Sequence, residues 1–558
     1  MIARSGVLTV ALALALAACG GSRGAPPPAP SRPGVKLVVL VVVDQLPMWT
    51  FERDRPHFKG GFARLAREGA FAVSEMPYAT PFTAVGHATI GTGAPPSVHG
   101  IIGNTWYRRG DNVQRGAEYD PDAPALVVGP SHGGELGPGD VASGRALRVD
   151  GIAEALRAAT GGVGKSIAIG LKGRAVAFVA GKQPDLAVWY EAAAGGMTTS
   201  KRYAREAPAW LVQLARDRPS NRFFDRTWEP LDAGLLARVT GIPDDNPGEG
   251  AGGMTAAFPH RIAGDPAPAE AVLHSPFGDL LVLDATYAAL DAMQLGADDV
   301  PDLLAISFAA HDYVGHVWGP DSWEVLDLMM RLDAALGSLF DALDTRLGKD
   351  GWAAVLTSDH GATPLVERTR VPGARRIASE EIARAAHEAM AAVLGEVETP
   401  GARGRWVSSV TSSTVYLAPQ LADVRDPDSR GAALDAAVAA IAKLPGIAAA
   451  GRNDKLGDCA ARAGLERAAC LSYADGVSGE LYVVPAAGSL ISDYRGGTHH
   501  DAPFDDNRLV PVFVRAPGLA PTTSATRVSS LQVAPTVTAL LRVPAPPAAT
   551  APPLFGLR

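Results

Sequence analysis

Three uninterrupted apolar runs, each leading to a carboxylate, restrict what this chain can fold into more than any other feature. Lys36–Val43 (KLVVLVVV) runs into Asp44, Leu303–Phe308 (LLAISF) into Ala309-Ala310-His311-Asp312, and Trp352–Leu356 (WAAVL) into Thr357-Ser358-Asp359-His360-Gly361. A strand with one face in water alternates apolar and polar residues. A run without that alternation must be covered on both faces, as in a parallel sheet between layers of helix. In open sheets of this kind ligands bind outside the C-terminal ends of the strands, which is where these carboxylates fall. The predicted fold is α/β, with a mostly parallel central sheet flanked by helices.

The rest of the chain fits around that sheet. Ser322–Leu343 places Val325, Leu328, Met329, Leu332, Leu336, Leu339 and Leu343 at three- and four-residue spacings, an amphipathic helix packing on the sheet. Leu509–Val514 reads as a further strand and Ser530–Leu541 as a final helix. Two regions break the rhythm. About 184–270 is rich in Gly, Pro and Trp with weak periodicity and reads as an inserted cap. About 370–481 holds a helix (Ser379–Leu394), a strand near Ser413–Leu417, a second helix (Ala432–Ala442) and two cysteines, and reads as a small α+β subdomain. The catalytic domain is expected over 35–558 with these insertions.

Arg4 precedes an apolar run, Val7–Ala18, too short to span a bilayer as a helix of about 20 residues. Residues 1–18 read as a signal peptide. Leu16-Ala17-Ala18-Cys19 resembles a bacterial lipoprotein signal, with Cys19 as the lipid-bearing residue and 19–34 as a Pro/Gly-rich tether; a plain secretory signal is the alternative. The protein is expected to be exported, periplasmic or secreted, with the membrane involved only through that anchor. In an oxidising compartment the remaining pair, Cys459 and Cys470, is expected to form a local disulfide; buried free thiols are the alternative. The net charge of −8 over 558 residues and the lack of long basic runs argue against nucleic acid as a partner. An anionic substrate must then be drawn in by local positive charge such as metal ions.

Candidate chemistry centres on Ala79–Trp106, a Gly-, Thr- and Pro-rich stretch without Asp, Glu, Lys or Arg. Here Thr83 reads as a nucleophile and Asn104 as a hydrogen-bond donor to the group it attacks. Asp312 and His316 are one helical turn apart, Asp359 and His360 are adjacent at a strand end, Asp44 ends the first strand, and His499 and His500 lie in GGTHHDAP. Carboxylates with imidazoles suit zinc. Two sites can be filled: Asp312, His316 and one late histidine hold one ion, and Asp44, Asp359, His360 and Thr83 the other. A threonine hydroxyl is a poor nucleophile unless a base or metal helps it ionise, and a second ion stabilises the leaving oxygen in an in-line displacement. Lys172 and Arg174 (GLKGRAVAF) are candidate further donors for phosphoryl oxygens, Arg as a fork and Lys as a point charge; a surface turn at LKGR is the alternative.

Taken together, VVVDQLP, TPFTAVGHATIGTG, HGIIGNTWY, LKGRA, DYVGH, TSDHGATP, GTHHDAP and QVAPTVTALL resemble the alkaline phosphatase superfamily. The likeness is to its phosphate-irrepressible alkaline phosphatase branch, kin to type I phosphodiesterase/nucleotide pyrophosphatases. The resemblance implies an alkaline phosphatase-like fold and two Zn2+ held by Asp44, Thr83, Asp312, His316, Asp359, His360 and His500, the GTxH pattern selecting His500 over His499. It implies hydrolysis of small phosphate monoesters through a phospho-threonine at Thr83, with Asn104, Lys172 and Arg174 on the phosphoryl oxygens. The Lys–Arg pair is the monoesterase device of that branch; a phosphodiesterase or nucleotide pyrophosphatase with the same nucleophile and metals is the alternative. No CxPxR-type sequence points to a sulfatase, and an additional Ca2+ or Mg2+ has no motif behind it. A non-catalytic lipoprotein that binds phosphorylated ligands would not need an activated hydroxyl between two metals.

Overall fold

A computed structural model describes residues 34–126, 142–192, 194, 196–262, 268–399, 402–411 and 413–558. The signal peptide and Cys19 lie outside them, as does nearly all of the tether. The strands used below are β1 (Leu37–Val43), β2 (Ala70–Glu75), β3 (Ser166–Gly170), β4 (Leu186–Glu191), β5 (Gly196–Ser200), β6 (Asp302–Phe308), β7 (Trp352–Thr357), β8 (Val407–Thr411), β9 (Thr414–Leu417), β10 (Ile447–Arg452), β11 (Leu481–Pro485) and β12 (Leu509–Arg515). The helices are α1 (Thr83–Thr92), α2 (Gly173–Phe178), α3 (Ala310–Trp318), α4 (Trp323–Leu347), α5 (Ser379–Leu394), α6 (Pro427–Ala442), α7 (Gly464–Ser472) and α8 (Val533–Leu541).

Among the described residues an eleven-stranded sheet has the order β2-β12-β7-β1-β6-β3-β4-β5, with short strands at its edges. The five central strands, β7 to β4 in that order, are parallel; β12 and β5 are antiparallel to their neighbours. Every residue of β1 is buried, as its unbroken apolar sequence requires. Leu37, Val39, Val41 and Val43 point into one core, with α4 residues Leu328, Leu332, Leu336 and Leu339. Val38, Leu40 and Val42 point into the other, with Ala84, Val85 and Ala88 of α1 and Val537 of α8. Full burial of one such side chain is worth about 1.5–3 kcal/mol, so a charge within β1 would disrupt both layers.

Register then sets the site. Val43 pairs with Phe308, and Val42 pairs with Thr357, so the three strands stop level with one another. Asp44 follows β1 directly, Asp359 lies two residues past β7, and Asp312 sits in the first turn of α3.

The region read as a cap from about 184 begins inside the sheet. LAVWYE is β4, and after the short AAAG segment the chain returns as β5 (GMTTS). The short apolar run beside that connection averages out to a loop-like composition, which hid both strands. Beyond β5 come short helices and the two-stranded ribbon Thr227–Trp228/His260–Arg261. A second, antiparallel sheet, β8-β9-β11-β10, is covered by α5 and α6 through Ile382, Ala386, Met390, Ala437 and Ile441. One of its two inner strands, β11, begins at Leu481 and carries the sheet beyond the expected boundary there. Cys459 and Cys470 are joined by a disulfide in the β10–β11 connection. Among the described residues no helix is long and apolar enough to cross a membrane.

Candidate metal centre

Both layers contribute to one point above the sheet: α1 brings Thr83 from one face and α3 brings Asp312 and His316 from the other. The chain leaves β1 through Asp44 into Gln45, a non-glycine residue at φ 64°. That conformation costs on the order of 1 kcal/mol, and it lets Gln45 tie the centre together. Its backbone N–H donates to Asp359 Oδ1 at 3.1 Å and its side-chain amide donates to Asp312 Oδ1 at 2.9 Å.

Around these groups His316, His500 and His360 turn Nε2 toward the carboxylates. His316 Nε2 lies 3.2 Å from Asp312 Oδ1, and His500 Nε2 is 3.8 Å from the same oxygen. His360 Nε2 lies 3.3 Å from Asp359 Oδ2 and 3.5 Å from Asp44 Oδ1, and its ring stacks on that of His500 at 3.6 Å. Two groups have ligand atoms mutually within 4.8 Å: Asp312, His316 and His500, and Asp44, Asp312 and His360. His499 is in neither; its ring lies edge-on to His316 at 5.2 Å.

These side chains fit a divalent cation by their unmet chemistry. Each imidazole donates Nδ1–H to a backbone carbonyl: His316 to Thr498 O at 2.6 Å, His360 to Gly361 O at 2.9 Å, His500 to Pro81 O at 2.6 Å. In the neutral ring the Nε2 lone pair is then left facing carboxylate oxygens. Asp44 Oδ1 is buried without a hydrogen-bond partner, and the equally buried Asp44 Oδ2 and Asp359 Oδ2 have the ion-pair contacts of Lys172 and His87. Lone pairs meeting lone pairs in a buried site need positive charge between them.

Lys172 supplies part of it. Its Nζ contacts Asp312 Oδ2 and lies 2.9 Å from Asp44 Oδ2, and it sits over the Tyr313 ring at 4.9 Å. Burial opposes the charge of this ammonium, but Asp312 and Asp44 outweigh it and hold its pKa above the ordinary value. Burial pushes the Asp44 carboxyl well up, reinforced by the Asp312 and Asp359 charges. At Asp312 burial acts the same way, yet His316 and Lys172 overcome it and hold the group well below the usual range.

Thr83 opens α1, and its Oγ1 lies 3.3 Å from His360 Nε2. Asn104 accepts from the Ala84 N–H through Oδ1 at 2.9 Å, which leaves its NH2 as the donor still to be used. Lys172 is the N-cap of α2 and Arg174 is in its first turn. Arg174 Nε lies 3.6 Å from Glu118 Oε1.

Sequence reasoning passed over Gln45, Tyr313, Glu118 and His87. His87, fully buried one turn after Thr83, has Nδ1 2.9 Å from Thr83 O and 3.1 Å from Asp359 Oδ2, and Nε2 2.9 Å from Ser307 Oγ. Gly86 beside it packs α1 against the end of β7, where a Cβ would come 2.2 Å from Asp359 O. The available signal was a Gly-His pair three and four residues after the hydroxyl, spacings that share one helix face.

Comparison with known proteins bears on this geometry. The family model for type I phosphodiesterase / nucleotide pyrophosphatase matches residues 38–505. Alkaline phosphatase PhoV of Synechococcus elongatus is 33% identical over 348 residues, 61% of this chain and 62% of that protein. Alkaline phosphatase PafA of Elizabethkingia meningoseptica is 33% identical over 339 residues, 59% of this chain and 60% of that one. The chain thus spans under two thirds of the length of these curated relatives. A crystal structure of wild type alkaline phosphatase PafA superposes with a TM-score of 0.84 at 26% identity, covering 94% of this chain and 99% of that one. A PafA variant with a threonine, an asparagine, a lysine and an arginine substituted superposes equally well.

Proposed function

We propose, from the premise that this chain belongs to the type I phosphodiesterase / nucleotide pyrophosphatase family within the alkaline phosphatase superfamily, that it is a zinc-dependent alkaline phosphatase acting on small phosphate monoesters. The observation that carries this reading is the convergence of Thr83, a cluster of carboxylates and imidazoles with unmet lone pairs, and two cations, Lys172 and Arg174, on one sheet edge. The similarity to alkaline phosphatases supports it. So does the PafA variant: its substituted threonine and asparagine are as far apart as Thr83 and Asn104, and its lysine and arginine are again separated by one residue.

Asp312, His316 and His500 would hold one zinc, and Asp44, Asp359 and His360, with Thr83, the other. Bound there, zinc lowers the pKa of a coordinated hydroxyl and neutralises charge on the departing oxygen. The reaction itself runs on Thr83. Thr83 gives its hydroxyl proton to water, and Oγ1 forms a bond to phosphorus in line with the ester oxygen, which departs with the bonding pair and takes a proton from water. A second water then attacks the phospho-threonine; the P–Oγ1 bond breaks, Oγ1 takes a proton from that water, and phosphate is released. Asn104 NH2, Lys172 and Arg174 bind the non-bridging oxygens, where charge-assisted and bidentate bonds are strongest. A monoester offers one more free anionic oxygen than a diester, so this pair of cations selects for it.

Export is part of the proposal. A disulfide persists in an oxidising compartment, and the apolar segment before Cys19 would direct the chain there, with Cys19 as the lipid-bearing residue.

The test compares an aryl phosphate monoester with its methyl diester on zinc-loaded protein, Lys172→Ala and Arg174→Ala. A strong monoester preference that collapses in both variants is expected. A diester preference unaffected by the substitutions would move the protein to the phosphodiesterase side of its family.

A further inference from the structure

The disulfide lies in the small α+β unit, outside the metal centre, and the mechanism above makes no use of it. Its surroundings nonetheless lead to the nucleophile. Cys470 is on α7, a helix of nine residues with no side-chain N-cap bond, too short to persist without tertiary support. The disulfide ties Cys459, which precedes this helix, to Cys470 in its last turn, and Cys470 clusters there with Leu456.

The opposite side of α7 grips the loop between β2 and α1. The Ala79 N–H donates to Ala468 O at 3.1 Å and to Ser472 Oγ at 2.8 Å. Ser472 donates its own proton to Ala468 O at 3.0 Å, so its lone pair is directed to Ala79. Both residues are buried. Two residues further on, Pro81 O accepts from His500 Nδ1, and the Phe82 ring meets His500 edge-on at 5.7 Å. Phe82 is then the N-cap of α1, which opens with Thr83.

We propose that the Cys459–Cys470 disulfide and Ser472 form a positioning clamp for the active centre. By holding the Ala79 amide from outside the main sheet, they set where Pro81 orients His500 and where α1 presents Thr83. A loop fixed only by its own residues would sample many placements of that hydroxyl, and a misplacement of about 1 Å can lower turnover by about a hundredfold. This proposal rests on the reading of Thr83 as nucleophile for its kinetic arm only.

The test uses Ser472→Ala, Ser472→Thr and the double variant Cys459→Ser/Cys470→Ser, each zinc-loaded. Amide hydrogen exchange is read on the peptide spanning 78–83, and kcat and KM are measured with an aryl phosphate well below the melting temperature. Ser472→Ala is expected to speed exchange in that peptide about fivefold, the size of one lost hydrogen bond, and to lower kcat with little change in KM. Ser472→Thr, which keeps the hydroxyl, is expected to restore both. The double variant should move both readouts the same way as Ser472→Ala and also melt earlier. A lower melting temperature with unchanged exchange at 78–83 and unchanged kcat would overturn the clamp. Should the parent protein fail to hydrolyse the monoester, the proposed function fails, and the exchange arm alone decides the clamp.

Discussion

Gly86→Ala isolates the fit between α1, which opens with the proposed nucleophile Thr83, and the end of β7 beside Asp359. A Cβ at position 86 would come 2.2 Å from Asp359 O, 2.7 Å from its carbonyl carbon and 2.7 Å from its Cβ, whereas real Cβ contacts essentially never fall below 3.0 Å. Two of these three atoms are backbone and the third is its first side-chain carbon, so no flexible tip can swing away. Interiors are close-packed, and α1 must move off β7 by roughly 1 Å. Overpacking of this kind costs about 1–3 kcal/mol of stability, which a chain with a core this large survives. Function is the more sensitive readout: Thr83 and Asp359 move apart, and kcat/KM should fall about a hundredfold. The assay is steady-state hydrolysis of an aryl phosphate with zinc content and circular dichroism recorded in parallel. A folded, zinc-loaded Gly86→Ala protein with kcat/KM within threefold of the parent would refute the argument, because the contact at Asp359 would then be relieved without moving Thr83.

Thr83→Ala should remove turnover while leaving the carboxylate and imidazole ligands in place; comparable hydrolysis by this variant would sink its role as nucleophile. His87→Ala deletes the group between Thr83 O, Asp359 Oδ2 and Ser307 Oγ, and zinc affinity measured by chelator competition should weaken about 10- to 100-fold, as for other residues behind a ligand. Asp279, behind the start of α3, accepts from Ala310 N at 3.2 Å, and burial pushes its carboxyl up to about 7 from an unfolded 3.8. A raised acid pKa means its contribution to stability is full below the unfolded value and is lost as pH rises through about 7. Asp279→Asn, which keeps the acceptor, should therefore be close to neutral near pH 4 and stabilising above pH 7 in urea unfolding; an effect independent of pH would contradict the buried-carboxyl account.

Much of this protein could be read from one dimension because its strongest signals are local. An apolar run with no polar alternation, such as Leu37–Val43, has few other stable placements than a strand buried on both faces, and Asp44 at its end follows from where such strands meet solvent. The 3.6-residue period of α4 and the chemistry of carboxylate beside imidazole need no third dimension either, and the family resemblance added which late histidine to favour. What escaped depends on register and packing. That Asp44, Asp312 and Asp359 stand level follows from Val43 pairing with Phe308 and Val42 with Thr357, a relation between segments hundreds of residues apart that no local pattern encodes. Strands β4 and β5 are short, and β5 (GMTTS) is largely polar, so their composition imitates a loop until neighbours supply hydrogen bonds. His87, Gln45 and Ser472 are ordinary residue types whose meaning comes from what faces them: the Asp359 carboxylate, the paired carboxylates of Asp312 and Asp359, the amide of Ala79. Burial of polar groups is a property of the assembled layers, and it alone turns those residues from unremarkable letters into parts of the centre.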